Sequence, residues 1–359
     1  MALEFAERIR RIPVYPAAAG YALGGGVALL ASNESPFGPL PEVVEAAARA
    51  VRGANRYPDP SGSVLRRALG DRFELPASRI ALGNGSCDVL LAAGEALLEP
   101  GAEIVHAWPS FSVYPHLAAA SGARAVQVGV REDHTHDLVA MAAEVTAATR
   151  LLIVCNPNNP TSTALPHAEI AAFLEGIPRH VAVILDEAYC EFSTLDDPDA
   201  TLPLLRRHPN LMLLLTFSKV HGLAALRVGY GLCGSEELRT AVDQVRQPFF
   251  CNAAAQAAAT EALRHLDAVE DRVTRTIAER LGLEDGLRAM GIEPAASQAN
   301  FLWFDLPAAA EERAVVAGLA ERRVLVRAGG PLGRPGALRV TVGTRSENGR
   351  FLAALCEVC

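Results

Sequence analysis

The stretch VAVILDEAY, Val181 to Tyr189, decides how this chain is read. Val181 to Leu185 is an unbroken apolar run, the pattern of a strand buried on both faces. It stops at two carboxylates, Asp186 and Glu187, followed by Ala188 and Tyr189. Acidic groups just past the carboxyl end of a buried strand lie where open α/β sheets bind ligands. The next apolar run, Leu211 to Leu215, ends in Thr216, Phe217, Ser218 and Lys219, with Arg227 a little further on. An earlier one, Leu151 to Cys155, ends in NPNNPTST, Asn156 to Thr163. Alone, Asp186 would be a helix cap or loop carboxylate, and Lys219 a surface charge. Three polar clusters at three successive strand ends make one site of them.

Outward from these runs the chain alternates. Helical periodicity marks residues 42–51, 64–73, 88–98, 112–121, 137–145 and 167–174, and strands are read at 103–108, 125–130, 151–155, 181–185, 211–215 and 228–233. This alternation predicts an α/β fold, a large domain with a mostly parallel sheet between helices. From Glu236 the texture changes to three helical stretches, 236–245, 253–265 and 269–290, the last laced with Arg and Glu. Short strands then return at 301–304, 324–326 and 338–342, with a helix at 311–322 and another closing the chain. The expectation is an N-terminal arm, 1–35, packing with the small domain, a large domain over 36–248 and a smaller α+β domain over 249–359. Ala17 to Ala19 and Gly24 to Gly26 are read as loop.

Composition bounds the function. The chain has 359 residues, 50% hydrophobic and 21% charged, enough for two domains and a sizeable core. Net charge is -8 and the pI about 5.7, with no basic block suited to nucleic acid or an anionic membrane. Runs such as Leu211 to Leu215 are too short to span a bilayer. Met1 to Arg11 mixes Glu4 and Glu7 with Arg8, Arg10 and Arg11, so no signal peptide is read there. Seven cysteines, unpaired in spacing, are expected to be small hydrophobes in a reducing cytoplasm.

The runs NPNNPTST, DEAY (Asp186 to Tyr189) and TFSKVHGLAALR (Thr216 to Arg227) resemble those of aspartate-aminotransferase-like, fold type I pyridoxal-phosphate enzymes. The likeness is greater still to the histidinol-phosphate aminotransferase group. It extends over ASNESPFGPLP (Ala31 to Pro41), NRYPDP (Asn55 to Pro60), GNGSCD (Gly83 to Asp88), SQANFLWF (Ser297 to Phe304) and LRVTVGT (Leu338 to Thr344). ASNE, the Thr-Ser-Thr after NPNNP and SQANF look most similar to the aromatic amino acid aminotransferase branch. The resemblance implies amino transfer between an aromatic L-amino acid and 2-oxoglutarate, in two half-reactions through pyridoxamine phosphate. Histidinol-phosphate aminotransferase is the alternative. A phosphothreonine-type decarboxylase and a non-catalytic regulator with a retained domain are further rivals.

The resemblance also implies roles. Lys219 would hold the cofactor as a Schiff base and move the substrate's Cα proton; burial and neighbouring cations suit a lysine to both tasks. Asp186 would pair with the pyridine nitrogen and keep it protonated. Tyr189 and Asn156 would hydrogen-bond the phenolic oxygen, and Phe111 in PSFSVYP would stack on the ring. GNGSCD opens a helix, so Gly85, Ser86 and Cys87 would cradle the phosphate through backbone N–H groups, helped by the Ser86 hydroxyl, Thr216, Ser218 and Arg227. Tyr57 would reach the phosphate of a partner subunit, which makes the protein a homodimer. Arg339 is expected to clamp the substrate carboxylate, since a planar guanidinium matches it bidentately. Asn33, Arg327 and Asn300 complete the substrate-binding set.

Departures are few. Cys87 and Asp88 stand where an acidic pair is usual, and Val220, His221 and Ala225 replace commoner residues beside the lysine. Asp133 to Asp137 (DHTHD) imitates a metal cluster but is read as a polar loop with Asp137 capping the next helix; no metal is expected. GNGS lacks the third glycine of a dinucleotide fingerprint.

Overall fold

The computed structural model describes residues 3–5, 7–12 and 25–359. The expectations for Ala17 to Ala19, for Gly24 and for residues 1, 2, 6 and 13–24 of the arm lie outside the described residues. A seven-stranded sheet runs in the order Ile80–Gly83, Gly229–Cys233, Leu211–Thr216, Ala182–Asp186, Thr149–Cys155, Glu103–Trp108, Arg124–Gly129. Gly229–Cys233 runs against its two neighbours; the other pairings are parallel. Ile80–Gly83 carries too little pattern to be read as a strand from sequence.

Alternate residues of the central strands enter two separate cores. Leu152, Val154, Val183, Leu185, Leu213 and Leu215 pack on one face, and Leu151, Ile153, Ile184, Met212 and Leu214 on the other. Helices cover both faces, which is why these strands are apolar without alternation.

A second unit holds the three-stranded antiparallel sheet Arg327–Ala328, Ala337–Thr341, Phe301–Asp305, over a core that includes Leu302, Phe304, Val340, Phe351 and Leu355. The stretch read as a single strand at 324–326 is divided. Val324–Leu325 pairs with Ala28–Leu29 from the arm, and Arg327–Ala328 joins the other sheet.

Packing crosses the expected division in two places. The helix Ala253–Ala262 packs on the helix Pro41–Val51 and buries Ala255, Ala258, Ala259 and Ala262 in the large unit's core. Small side chains on that face let the helices approach closely, so the large unit continues past residue 249. In the arm, Ala28–Leu29 joins the smaller unit, whereas the short helix Glu7–Arg11 lies on the helix Val113–Ser121 of the large one.

The long helix Leu266–Ala289 joins the units, and its arginines do not all face water. Arg272 donates to Val220 O at 3.1 Å and Gly38 O at 2.5 Å. Arg280 donates to Phe192 O at 2.9 Å and Ala299 O at 3.0 Å. Both guanidiniums thereby tie the loops around Lys219 and Asp186 to the connecting helix. Among the described residues no helix is long and apolar enough to cross a membrane.

Candidate active site

The strand ends converge because the register forces them to. Cys155 lies opposite Asp186, and Asp186 opposite Leu214, so the three polar loops leave the sheet side by side. They open into a cavity of about 580 Å³ between the two units. The cavity is lined by Ser86, Cys87, Phe111, Asp186, Tyr189, Thr216, Ser218, Lys219 and Arg227 of the large unit, by Arg327, Leu332 and Arg339 of the smaller one, and by Ala31 to Glu34 of the segment that follows the arm strand.

Lys219 follows the strand Leu211–Thr216 in a tight turn. Its Nζ donates to Ser32 O at 3.3 Å and lies 5.5 Å from the centre of the Tyr189 ring. Burial, then the cation of Arg339, brings the amine down to about 8. Asp186 is buried at the strand end. Burial raises its carboxyl to about 6, against the hydroxyl of Tyr114, which donates to Oδ2 at 2.8 Å. Burial also pushes the Tyr189 phenol up, so it keeps its proton.

The helix Ser86–Leu97 points its N-terminus at the cavity, and the orphan N–H groups of a first helical turn suit an anion. Arg227 reaches the same place. Its Nη1 donates to Ser218 Oγ at 3.3 Å and its Nη2 to Asn84 O at 3.4 Å. Gly85 has φ of +81°, and a Cβ there would collide with the Arg227 guanidinium. A Cβ at Gly229 would collide with the backbone N of Ser86. The glycines thus hold open an anion cradle of helix N-terminus, hydroxyl and guanidinium, which fits a phosphate.

Arg339, on the strand Ala337–Thr341, donates to Asn159 Oδ1 and Ala31 O, each at 2.6 Å. Asn33 Nδ2 donates to Tyr189 Oη at 3.1 Å, and Asn159 Nδ2 to the same atom at 3.4 Å. Arg327 faces Arg339 across the antiparallel pair.

Four expected site residues lie off the cavity wall. Gly85 stands behind Arg227. Asn300 supports Asn33 by donating to its backbone O at 3.2 Å. Tyr57 is 79% exposed and stacks on Phe249 at 4.3 Å between ring centres. Asn156 is the substantive correction. Its amide is committed to Leu165, donating to the backbone O at 3.0 Å and accepting from the N–H at 2.7 Å. The asparagine that reaches Tyr189 is Asn159, three positions on in the same run, and sequence alone does not tell which of three asparagines turns inward. Tyr114 was also missed; it sits three positions after Phe111, one helical turn on, which is the signal that would have found it. In the loop 133–137, Asp133 accepts from Thr135 and Asp137 caps the helix Leu138–Ala143 by accepting from Ala140 N.

A lysine with a lowered amine, a buried carboxylate, an anion cradle and a guanidinium pair at a domain cleft define an enzyme of the α/β cofactor-binding class. The chain belongs to the class I and II aminotransferase family, whose model matches residues 26–355. It is 44% identical over 337 residues to an aromatic amino acid aminotransferase of Thermobifida fusca, covering 91% of this chain and 89% of that one. It is 41% identical to histidinol-phosphate aminotransferase 1 of Cupriavidus pinatubonensis, over 92% of this chain and 88% of that one. The solved histidinol-phosphate aminotransferase of Sinorhizobium meliloti in complex with pyridoxal-5'-phosphate superposes with a TM-score of 0.88 at 29% identity, covering 100% and 98% of the two chains.

Proposed function

We propose that this enzyme holds pyridoxal phosphate on Lys219 and transfers the amino group of an aromatic L-amino acid to 2-oxoglutarate. The cofactor assignment is supported by one observation: Lys219, Asp186 and the Ser86, Ser218 and Arg227 cradle line the same cavity. Bound there, pyridoxal phosphate supplies an aldehyde that captures amines and a protonated ring that accepts electron density. Ser86, Cys87 and the first turn of their helix would bind the phosphate, with Thr216, Ser218 and Arg227. Asp186 would hold a proton on the ring nitrogen. Tyr189 and Asn159 would hydrogen-bond the phenolic oxygen, and Phe111 would cover the ring face. Lys219, its amine already partly neutral near pH 8, would carry the proton to and from the substrate Cα. Arg339, held by Asn159 and the Ala31 carbonyl, would orient the substrate carboxylate, with Arg327 beside it and Asn33, itself held by Asn300, on the same wall.

The aromatic donor is supported by relatives named aromatic amino acid aminotransferase at 40–44% identity. Histidinol phosphate is the second reading, favoured by the Arg327 and Arg339 pair, whose double positive charge suits a phosphate monoester. Side-by-side kcat/KM values for phenylalanine, tyrosine, tryptophan and histidinol phosphate test this. The expected result is good turnover of the aromatic acids. A preference for histidinol phosphate above about a hundredfold, roughly 2.7 kcal/mol of discrimination, establishes the second reading instead.

A homodimer is part of the same proposal, with Tyr57 reaching the neighbouring site; its exposed stack on Phe249 supports this, and light scattering that finds an active monomer would refute it. So is a cytoplasmic location, supported by seven free cysteines, four of them buried.

A further inference from the structure

Asp186 lines the cavity and is also held from behind by Tyr114. Tyr114 is fully buried, and its hydroxyl donates to Asp186 Oδ2 at 2.8 Å. Oδ1 accepts from the Ala188 N–H at 3.3 Å. The Tyr114 ring is fixed from two directions, edge-on to Phe111 at 5.7 Å and to His106 at 5.8 Å between ring centres. The hydroxyl is aimed at the carboxylate, with the Cys155 thiol beside it. The other titratable groups that face Asp186 are Lys219, Tyr189, Cys87, Cys155 and Glu187. Burial favours the uncharged form of Tyr189, Cys87, Cys155 and Glu187, and the hydrogen bonds to the Asp186 carboxylate come from Tyr114 and the Ala188 N–H.

We propose that Tyr114 is a positioning residue for Asp186: its hydroxyl fixes the carboxylate and weakens it as a base, so that a shared proton stays on the heteroaromatic nitrogen in the cavity and not on the carboxylate. The physical reason is that a hydrogen bond donated to the ionised form stabilises that form. The inference rests on the reading of Asp186 as the partner of the pyridine nitrogen.

The test uses Tyr114→Phe, which keeps the ring and removes the hydroxyl, alone and combined with Asp186→Asn. In the apoenzyme, the contribution of Asp186 to wild-type stability, read against Asp186→Asn, is expected to fall between about pH 4 and pH 6 as the buried carboxyl ionises. In Tyr114→Phe that fall should extend about one pH unit higher, and with Asp186→Asn present the substitution should move nothing. In the holoenzyme, kcat should fall about tenfold while the donor KM stays within about twofold. An apoenzyme pH profile unmoved by Tyr114→Phe overturns the inference. If Asp186→Asn alone leaves turnover within about threefold of wild type, the reading of Asp186 fails first and takes this inference with it. If Asp186→Asn abolishes turnover but Tyr114→Phe shifts neither profile nor kcat, the inference alone is wrong.

Discussion

Arg339 and Asn159 meet across the domain cleft: the Arg339 Nη1 donates to Asn159 Oδ1 at 2.6 Å although 180 positions separate them. Asn159 turns its other amide end to Tyr189 at 3.4 Å. One side chain therefore joins the group expected to read the substrate carboxylate to the phenol beside the lysine, whereas Asn156 ties a loop together.

The two asparagines should separate cleanly on substitution. Asn159→Ala removes the bridge, and we expect kcat/KM for the donor to fall at least tenfold with little change in thermal midpoint. Asn156→Ala unpairs the Leu165 backbone and should lower stability by about 1–3 kcal/mol with kcat near wild type. Steady-state kinetics and denaturant unfolding of both variants check this; the opposite pattern would return Asn156 to the site.

Lys219 should be reactive at lower pH than an ordinary lysine. Burial and the nearby guanidinium of Arg339 lower its amine to about 8 from 10.5, and a lowered amine loses its proton earlier as pH rises. At pH 7.5 roughly a quarter of chains would carry the neutral amine, against about one in a thousand for an unperturbed lysine. Uptake of pyridoxal phosphate by the apoenzyme, followed by visible absorbance, should rise with pH and level off above about pH 8. A rate still climbing tenfold per pH unit at pH 9.5 would contradict this environment. Lys219→Ala should lose turnover.

Asp186→Asn should exchange activity for stability. Burial raises the carboxyl from 3.8 to about 6, so the folded chain binds its proton more tightly than the unfolded chain. The contribution of Asp186 to apoenzyme stability is then greatest below about pH 4, falls as pH rises to about 6 and stays low above it. A shift of about two pH units corresponds to roughly 3 kcal/mol. Apo Asp186→Asn should therefore exceed wild type by about 2–3 kcal/mol at pH 8, with the gap closing below pH 4. Turnover should fall by orders of magnitude. Urea titrations at the two pH values and a standard assay decide it.

Gly85→Ala should weaken the anion cradle. Its φ of +81° disfavours any side chain, and the added Cβ meets the Arg227 guanidinium. We expect stability to drop by about 1–2 kcal/mol and the Kd for pyridoxal phosphate to rise more than tenfold. Inorganic phosphate should compete less well than with wild type. A Kd within about twofold of wild type would mean that Arg227 is not held there for phosphate.

What the amino-acid sequence determined by itself is local and periodic. Unbroken apolar runs ending in Asn156, Asp186 and Thr216 were legible as buried strands because both faces of each strand meet helices, and the polar residues after them marked the ligand-binding edge. Lys219, Asp186, Tyr189 and Arg227 were legible because their motifs sit directly at those ends. Tertiary structure alone decided the rest. Asn159 faces the cavity and Asn156 does not because the loop over 156–165 closes on itself through the Leu165 backbone, a choice made by three-dimensional satisfaction of buried polar groups. Tyr114 reaches Asp186 from 72 positions away, and Arg272 and Arg280 turn inward because carbonyls of distant loops wait for them. Ala253–Ala262 joins the larger core because packing follows shape, which composition does not disclose. Contacts of this kind join residues far apart in the chain, so periodicity carries no trace of them.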